Sequence, residues 1–236
     1  MTTEVLRQRL VALLEALSEI HLAEQQAAVP AARLHRLKRW QSRRLALSFR
    51  GLRAQPRYAA AAEFFLADLY GADDVSWRDR DVRRVLPTML RWLPVSALGT
   101  LADALELDLM SRRFDLAVAA ALADGVIGVA DYARAYRSVG DAAGRGVQIE
   151  LIRKIGTDLE RIVRKPFILG VLKLARGPAR GAGFGELQAF LERGFAAFRA
   201  MGPAEDFLAQ IVDGETEVMQ RLLAEHRDPF GFELEE

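Results

Sequence analysis

Apolar residues recur close to every 3.6 positions along nearly the whole 236-residue chain, and no stretch shows convincing two-residue alternation. A chain patterned this way buries one stripe of each helix against its neighbours and offers little to a sheet. The expected fold is all-α: one multi-helix, bundle-like domain of about nine to eleven helices over residues 1–226. Residues 1–54 are readable as a helical hairpin packed on the rest, and 227–236 as a loose acidic tail. An apolar share of 51% beside 28% charge is that of an ordinary globular protein, with enough greasy surface for one sizeable core.

Prolines, glycines and capping residues punctuate the pattern. Thr2 or Thr3 can cap a first helix bearing Val5, Leu6, Leu10, Leu13, Leu14, Leu17 and Ile20. Pro30 precedes a second helix at about 31–52, and Pro56 opens a third that runs to Gly71. Ser76 and Asp79 resemble a capping box before a fourth helix, which Pro87 should kink or split. Pro94 opens a fifth, and Asp108 or Ser111 caps a sixth that ends at Gly125. Further helices are expected at about 131–139 and 146–164, the latter stopped by Pro166. Residues 167–176 are apolar almost all round, the pattern of a helix buried inside a domain. A loop at 177–185 then leads to helices at about 185–200 and 203–225.

Composition closes several functional classes. There is no cysteine, so no disulfide framework, thiolate chemistry or cysteine-type zinc site, in keeping with a reducing cytoplasm. The first 22 residues alternate charge and leucine without a continuous apolar stretch, unlike a secretory leader. The longest apolar runs fall far short of the roughly 20 residues that cross a bilayer. None of His21, His35 and His226 follows a glutamate by three residues, so a di-iron carboxylate centre has no ligand set. Asp73, Asp74, Asp79 and Asp81 lack the spacing that brings metal-binding carboxylates onto one helix face, and they read as caps and ion pairs. Gly181, Gly183 and Gly185 precede a helix without the strand that a dinucleotide fingerprint needs. No cofactor, metal ion or catalytic residue is expected from linear motifs.

Charge is distributed unevenly. The net charge is +1, yet residues 25–62 hold nine Lys/Arg and no acid. On a helical wheel Leu34, Leu37, Gln41, Leu45 and Ser48 form the core stripe, while Arg36, Arg39, Arg43 and Arg50 fall opposite. A second acid-free stretch, 161–185, carries Arg161, Arg164, Lys165, Lys173, Arg176 and Arg180. Either neighbouring acidic helices pair with these cations, or they form a face for an anionic partner: an acidic protein, a phosphorylated ligand, nucleic acid or a lipid headgroup. Arg36, Arg39, Arg43, Arg50, Arg161, Arg164, Lys165, Arg176 and Arg180 are the candidate anion-binding residues. Membrane-surface binding by 165–176 is set against burial of that helix.

Residues 62–71 read AEFFLADLYG, and this resembles the signature of the FFLEELY-motif family, a set of uncharacterised bacterial proteins. The text around Trp40-Gln41, Pro56-Arg57-Tyr58, Arg164-Lys165-Pro166-Phe167, Arg176-Gly177-Pro178 and Phe190-Leu191-Glu192-Arg193 is similar too, from about Leu34 to Leu223. Ala67 and Asp68 stand where the signature has two glutamates. The resemblance implies a helical domain and no particular activity. The segment's rings are core-forming in the first instance. Its alternative role is to line a ligand cavity through Phe64, Phe65 and Tyr70, with Glu63 or Asp68 at the rim.

Three functions follow from these readings. The first is a non-catalytic binding or adaptor domain that presents the basic face. The second is a helical bundle enclosing an apolar or amphipathic small molecule, such as an acyl chain. The third is an enzyme whose site is assembled from distant residues. Oligomeric state is not legible in the sequence.

Overall fold

The periodicity resolves into eleven α-helices and one π-helical segment, with no strand among the described residues. The computed structural model describes residues 2–26, 29–69 and 76–234, and their side chains except those of 67–69, 76–80, 92, 166, 175 and 178. The helices are α1 (Thr3–Gln26), α2 (Ala31–Ser48), α3 (Arg50–Ala54) and α4 (Pro56–Glu63), the last continued by a π-helix over Phe64–Leu69. There follow α5 (Ser76–Trp92), α6 (Val95–Ala121), α7 (Val129–Val139), α8 (Ala142–Val163), α9 (Pro166–Gly181), α10 (Gly185–Met201) and α11 (Glu205–Leu223).

The organising element is α6. Its buried residues, including Leu98, Ala102, Asp103, Leu105, Arg112 and Val118, lie on several sides of the helix. A helix enclosed this way must be packed all round, and α1, α2, α7 and α8 all lie against it. No break occurs at 108–111. Asp108 pairs one turn onward with Arg112 at 3.2 Å, and Ser111 donates back to the Leu107 carbonyl at 2.8 Å. Both capping-type residues satisfy themselves inside one long helix.

Other expectations are corrected. The second helix breaks at Phe49, and α3 is a separate short turn. The third ends as α-helix at Glu63 and widens to π geometry instead of running on regularly. Pro87 sits inside an unsplit α5. Gly177 belongs to α9, which continues to Gly181. The helix at 167–176 is not enclosed either. Ile168 is buried, but Phe167, Val171 and Leu174 face water.

The C-terminal segment is not loose as far as Leu234. Pro229 and Phe230 are buried, with the Phe230 ring 5.8 Å from Trp40 and Asp228 accepting from the Gly231 amide at 2.8 Å. Burial of the Phe230 ring against the Trp40–Tyr132 stack offsets part of the entropy lost in ordering this segment. Glu235 and Glu236 lie outside the described residues.

Candidate functional site

Along one stripe of α6 the packing leaves a cavity of about 290 Å³ between it and its neighbours. Leu101, Leu105, Asp108, Arg112 and Asp115 recur there at three- and four-residue spacing, so the lined stretch is about 21 Å long at 1.5 Å per residue. The stripe changes character along its length, from leucine to charge. The facing helix α8 does the same in the opposite direction, from Arg145 and Gln148 to Ile152 and Ile155. Gln148 donates to Ser111 at 2.8 Å and Lys154 reaches Asp103, which fixes the two helices antiparallel with like ends together. Phe65, Val82, Met89, Leu187, Phe190 and Phe207 complete the apolar end.

The polar end is built from six helices. Arg44 of α2 makes a bidentate pair with Glu215 of α11, one arm at 3.0 Å. Burial opposes the charge on Arg44, but Glu215 outweighs it and its pKa is raised. Arg112 reaches Glu24 at 3.1 Å, and Lys38 lies 3.8 Å from the same carboxylate. Gln41 donates to Asp115 at 3.0 Å. Burial pushes the Asp115 carboxyl above the ordinary carboxylate range, against the opposing pull of that hydrogen bond and of the Lys38 and Arg145 charges. Part of its surface remains open because it faces the cavity. Burial likewise pushes the Tyr136 hydroxyl up to about 12.

Arg145 is the exception among these cations. It is 7% exposed, and its guanidinium carbon lies 3.7 Å from the Phe114 ring centroid and 4.4 Å from that of Tyr136. Among the described residues its Nε and Nη2 atoms have no hydrogen-bond partner, and no carboxylate hydrogen-bonds to it. The chain places it deliberately. Gly140 takes a φ of 66°, and Asp141 accepts from the Gly144 amide at 2.8 Å to start α8. A Cβ at Gly144 would lie 2.2 Å from the Asp141 carboxylate, so only glycine allows this cap. The next residue, Arg145, then points inward from the first turn of α8.

The candidate anion-binding residues fare differently. Arg36 lies 3.7 Å from Asp124, Arg161 pairs with Asp158 at 3.0 Å, Arg164 with Glu160 at 2.5 Å and Arg176 with Glu192 at 2.6 Å. Lys165 donates to Ser96 at 3.4 Å, and Arg50 lies over Phe232 at 5.8 Å. Arg39, Arg43 and Arg180 are exposed. The first block lies on α2 and α3, which pack with α6 and α4, while α9 packs on α10 and α8. Of the cavity candidates, Phe65 lines the apolar end, and Phe64 packs beside it, 5.3 Å from Phe190. Glu63 is exposed and pairs with Arg53 at 3.2 Å, away from the rim proposed for it. The side chains of Asp68 and Tyr70 lie outside the described residues. No group of His, Asp or Glu is arranged to hold a metal ion among the described residues.

Sequence reasoning missed the polar end. Arg44 sits three residues beyond Gln41 and seven beyond Leu37, at the edge of the wheel's core stripe beside Leu37, so its position carried part of the signal. Arg145 had no such mark, because its burial depends on where α8 begins.

A family model described as Domain of unknown function (DUF8198) matches residues 21–229. The chain belongs to that family. The resemblance seen in the sequence holds at the level of an uncharacterised family. No curated protein and no solved structure matches the chain.

Proposed function

We propose that this protein encloses a small amphipathic molecule, with an apolar tail along Leu101, Leu105 and Phe65 and an anionic head at Arg145. The carrying observation is Arg145 itself: a buried cation on the cavity wall with two unpartnered nitrogens, beside Arg44, Arg112 and Lys38, which each have a carboxylate. Burying an unpaired charge is expensive, and a carboxylate or phosphate supplied by a ligand offsets that cost. A volume near the lower end of small-molecule pockets, roughly 300–1,000 Å³, suits a single-chain ligand better than a diacyl lipid. The likeness to FFLEELY-motif proteins enters through Phe65, which would wall the tail site.

An adaptor role through the outer arginines has less to rest on, since Arg36, Arg161, Arg164 and Arg176 each reach a carboxylate. Asp115 favours a second reading, in which the cavity also transforms its ligand. A carboxyl that burial holds towards its protonated form, next to a bound head group, is placed to act as a general acid.

Thermal unfolding with added dodecanoate, dodecyl phosphate or dodecylamine tests the binding reading. The two anions should raise Tm in proportion to the logarithm of their concentration, and the amine should not. Equal effects of anion and amine, or none from either anion, would count against it.

A further inference from the structure

We infer that α9 is a docking face for an anionic bilayer surface, lying in the plane of the interface with Phe167, Val171 and Leu174 inserted. These three side chains are 51%, 37% and 80% exposed and follow one another at four- and three-residue spacing, so they form one stripe along a helix about 24 Å long. The opposite side of α9 is committed to the protein. Ile168 is buried in the core, Gln188 of α10 donates to the Leu172 carbonyl at 2.7 Å, and Arg176 grips Glu192 of α10. α9 is therefore held rigidly with its greasy edge outward, an arrangement that costs free energy in water and is relieved when the edge enters an acyl boundary.

Charge selects the occupant. No acidic residue occurs between Arg161 and Gly185, and Lys173 and Arg180 stand exposed on α9, about a third of a turn or more round the helix from the stripe. The nearby carboxylates of Asp158, Glu160 and Glu192 are each already bonded to an arginine. A second copy docked on the same face would bring two acid-free basic segments together, which is repulsive, whereas anionic headgroups complement them. The inference does not depend on what the interior cavity holds, although Leu187 and Phe190 of the supporting helix α10 also wall its apolar end.

The test is co-sedimentation of the full chain with vesicles of phosphatidylcholine alone or mixed with phosphatidylglycerol, for wild type, Leu174→Glu and Lys173→Glu/Arg180→Glu. Leu174 is largely solvated, so its replacement leaves the fold intact, which circular dichroism checks. Wild type should sediment with the anionic vesicles and weakly with neutral ones. Leu174→Glu should bind about tenfold more weakly or not at all, and the double charge reversal about tenfold more weakly. Failure of wild type to bind anionic vesicles would overturn the inference, as would undiminished binding by Leu174→Glu. A dimer in solution that Leu174→Glu dissolves would assign the stripe to self-association and overturn it equally.

Discussion

The guanidinium of Arg145 lies against the face of Phe114, 3.7 Å from its centroid, in a cavity where Lys38, Arg44 and Arg112 each pair with a carboxylate. Ring faces attract cations but do not replace hydrogen bonds, so the charge is only partly compensated. Stability and function therefore pull apart at this residue. Arg145→Met keeps most of the volume and removes the uncompensated charge, so the ligand-free protein should be unchanged or up to about 2 kcal/mol more stable. The same variant should lose binding of anionic amphiphiles. Denaturant unfolding and ligand titration on one preparation check both halves. A strongly destabilised variant would mean that Arg145 is a structural ion whose partner lies within the protein.

Asp115 supplies a pH dependence of a particular sign. The folded protein holds its proton more tightly than the unfolded chain, whose carboxyl titrates near 3.8. The stability it contributes is thus complete at low pH and is lost as pH rises through its raised folded value. Asp115→Asn has no proton to lose. Its Tm should exceed that of wild type at neutral pH, and the gap should close as pH falls towards 3.8. A gap that widens in acid would mean that Asp115 is held as a carboxylate.

The α9–α10 clamp has the opposite dependence. Arg176 donates to both oxygens of Glu192, and with a further bond from Gln188 it holds that carboxyl down at about 2. Its contribution is present above the ordinary value of 4.5 and fades only as pH falls to about 2. A carbon-detected titration of Glu192 should show the low value in wild type and a return towards the ordinary one in Arg176→Ala. Amide exchange in α9 should quicken in that variant at neutral pH. A normal Glu192 titration in wild type would dissolve the clamp.

Close packing of α8 on α11 rests on a single missing side chain. A Cβ at Gly156 would lie 2.3 Å from a methyl carbon of the buried Leu208. Gly156→Ala should therefore cost about 1–3 kcal/mol despite the better helix propensity of alanine. Adding Leu208→Ala should recover part of that loss, and a double-mutant cycle in urea measures the coupling. Strict additivity would show that the two sites do not meet.

Much of the architecture was legible because it rests on local chemistry. Pro56 begins α4, Gly140 ends α7, and Leu34 and Leu37 are buried as the α2 stripe requires. What was not legible rests on long-range contact. Asp108 and Ser111 look like caps until their partners, Arg112 and Gln148, show that they belong inside a helix. The apolar 167–176 stretch looks like a core helix because composition cannot say which side its neighbours cover. The cavity needs α2, α6, α7, α8 and α11 at once, and no window of sequence contains them. Glu215 lies 171 residues from the Arg44 it pairs with.

Native mass spectrometry of the freshly purified chain, with wild type and Arg145→Met run side by side, addresses the interior site most directly. Wild type should carry one small adduct, carried over or taken up from added dodecyl phosphate, that dissociates as an anion with a hydrocarbon tail. Arg145→Met should fly bare. A wild-type protein that stays bare when such amphiphiles are supplied, or a variant that retains the adduct equally, would contradict the assignment of the cavity and of Arg145 within it.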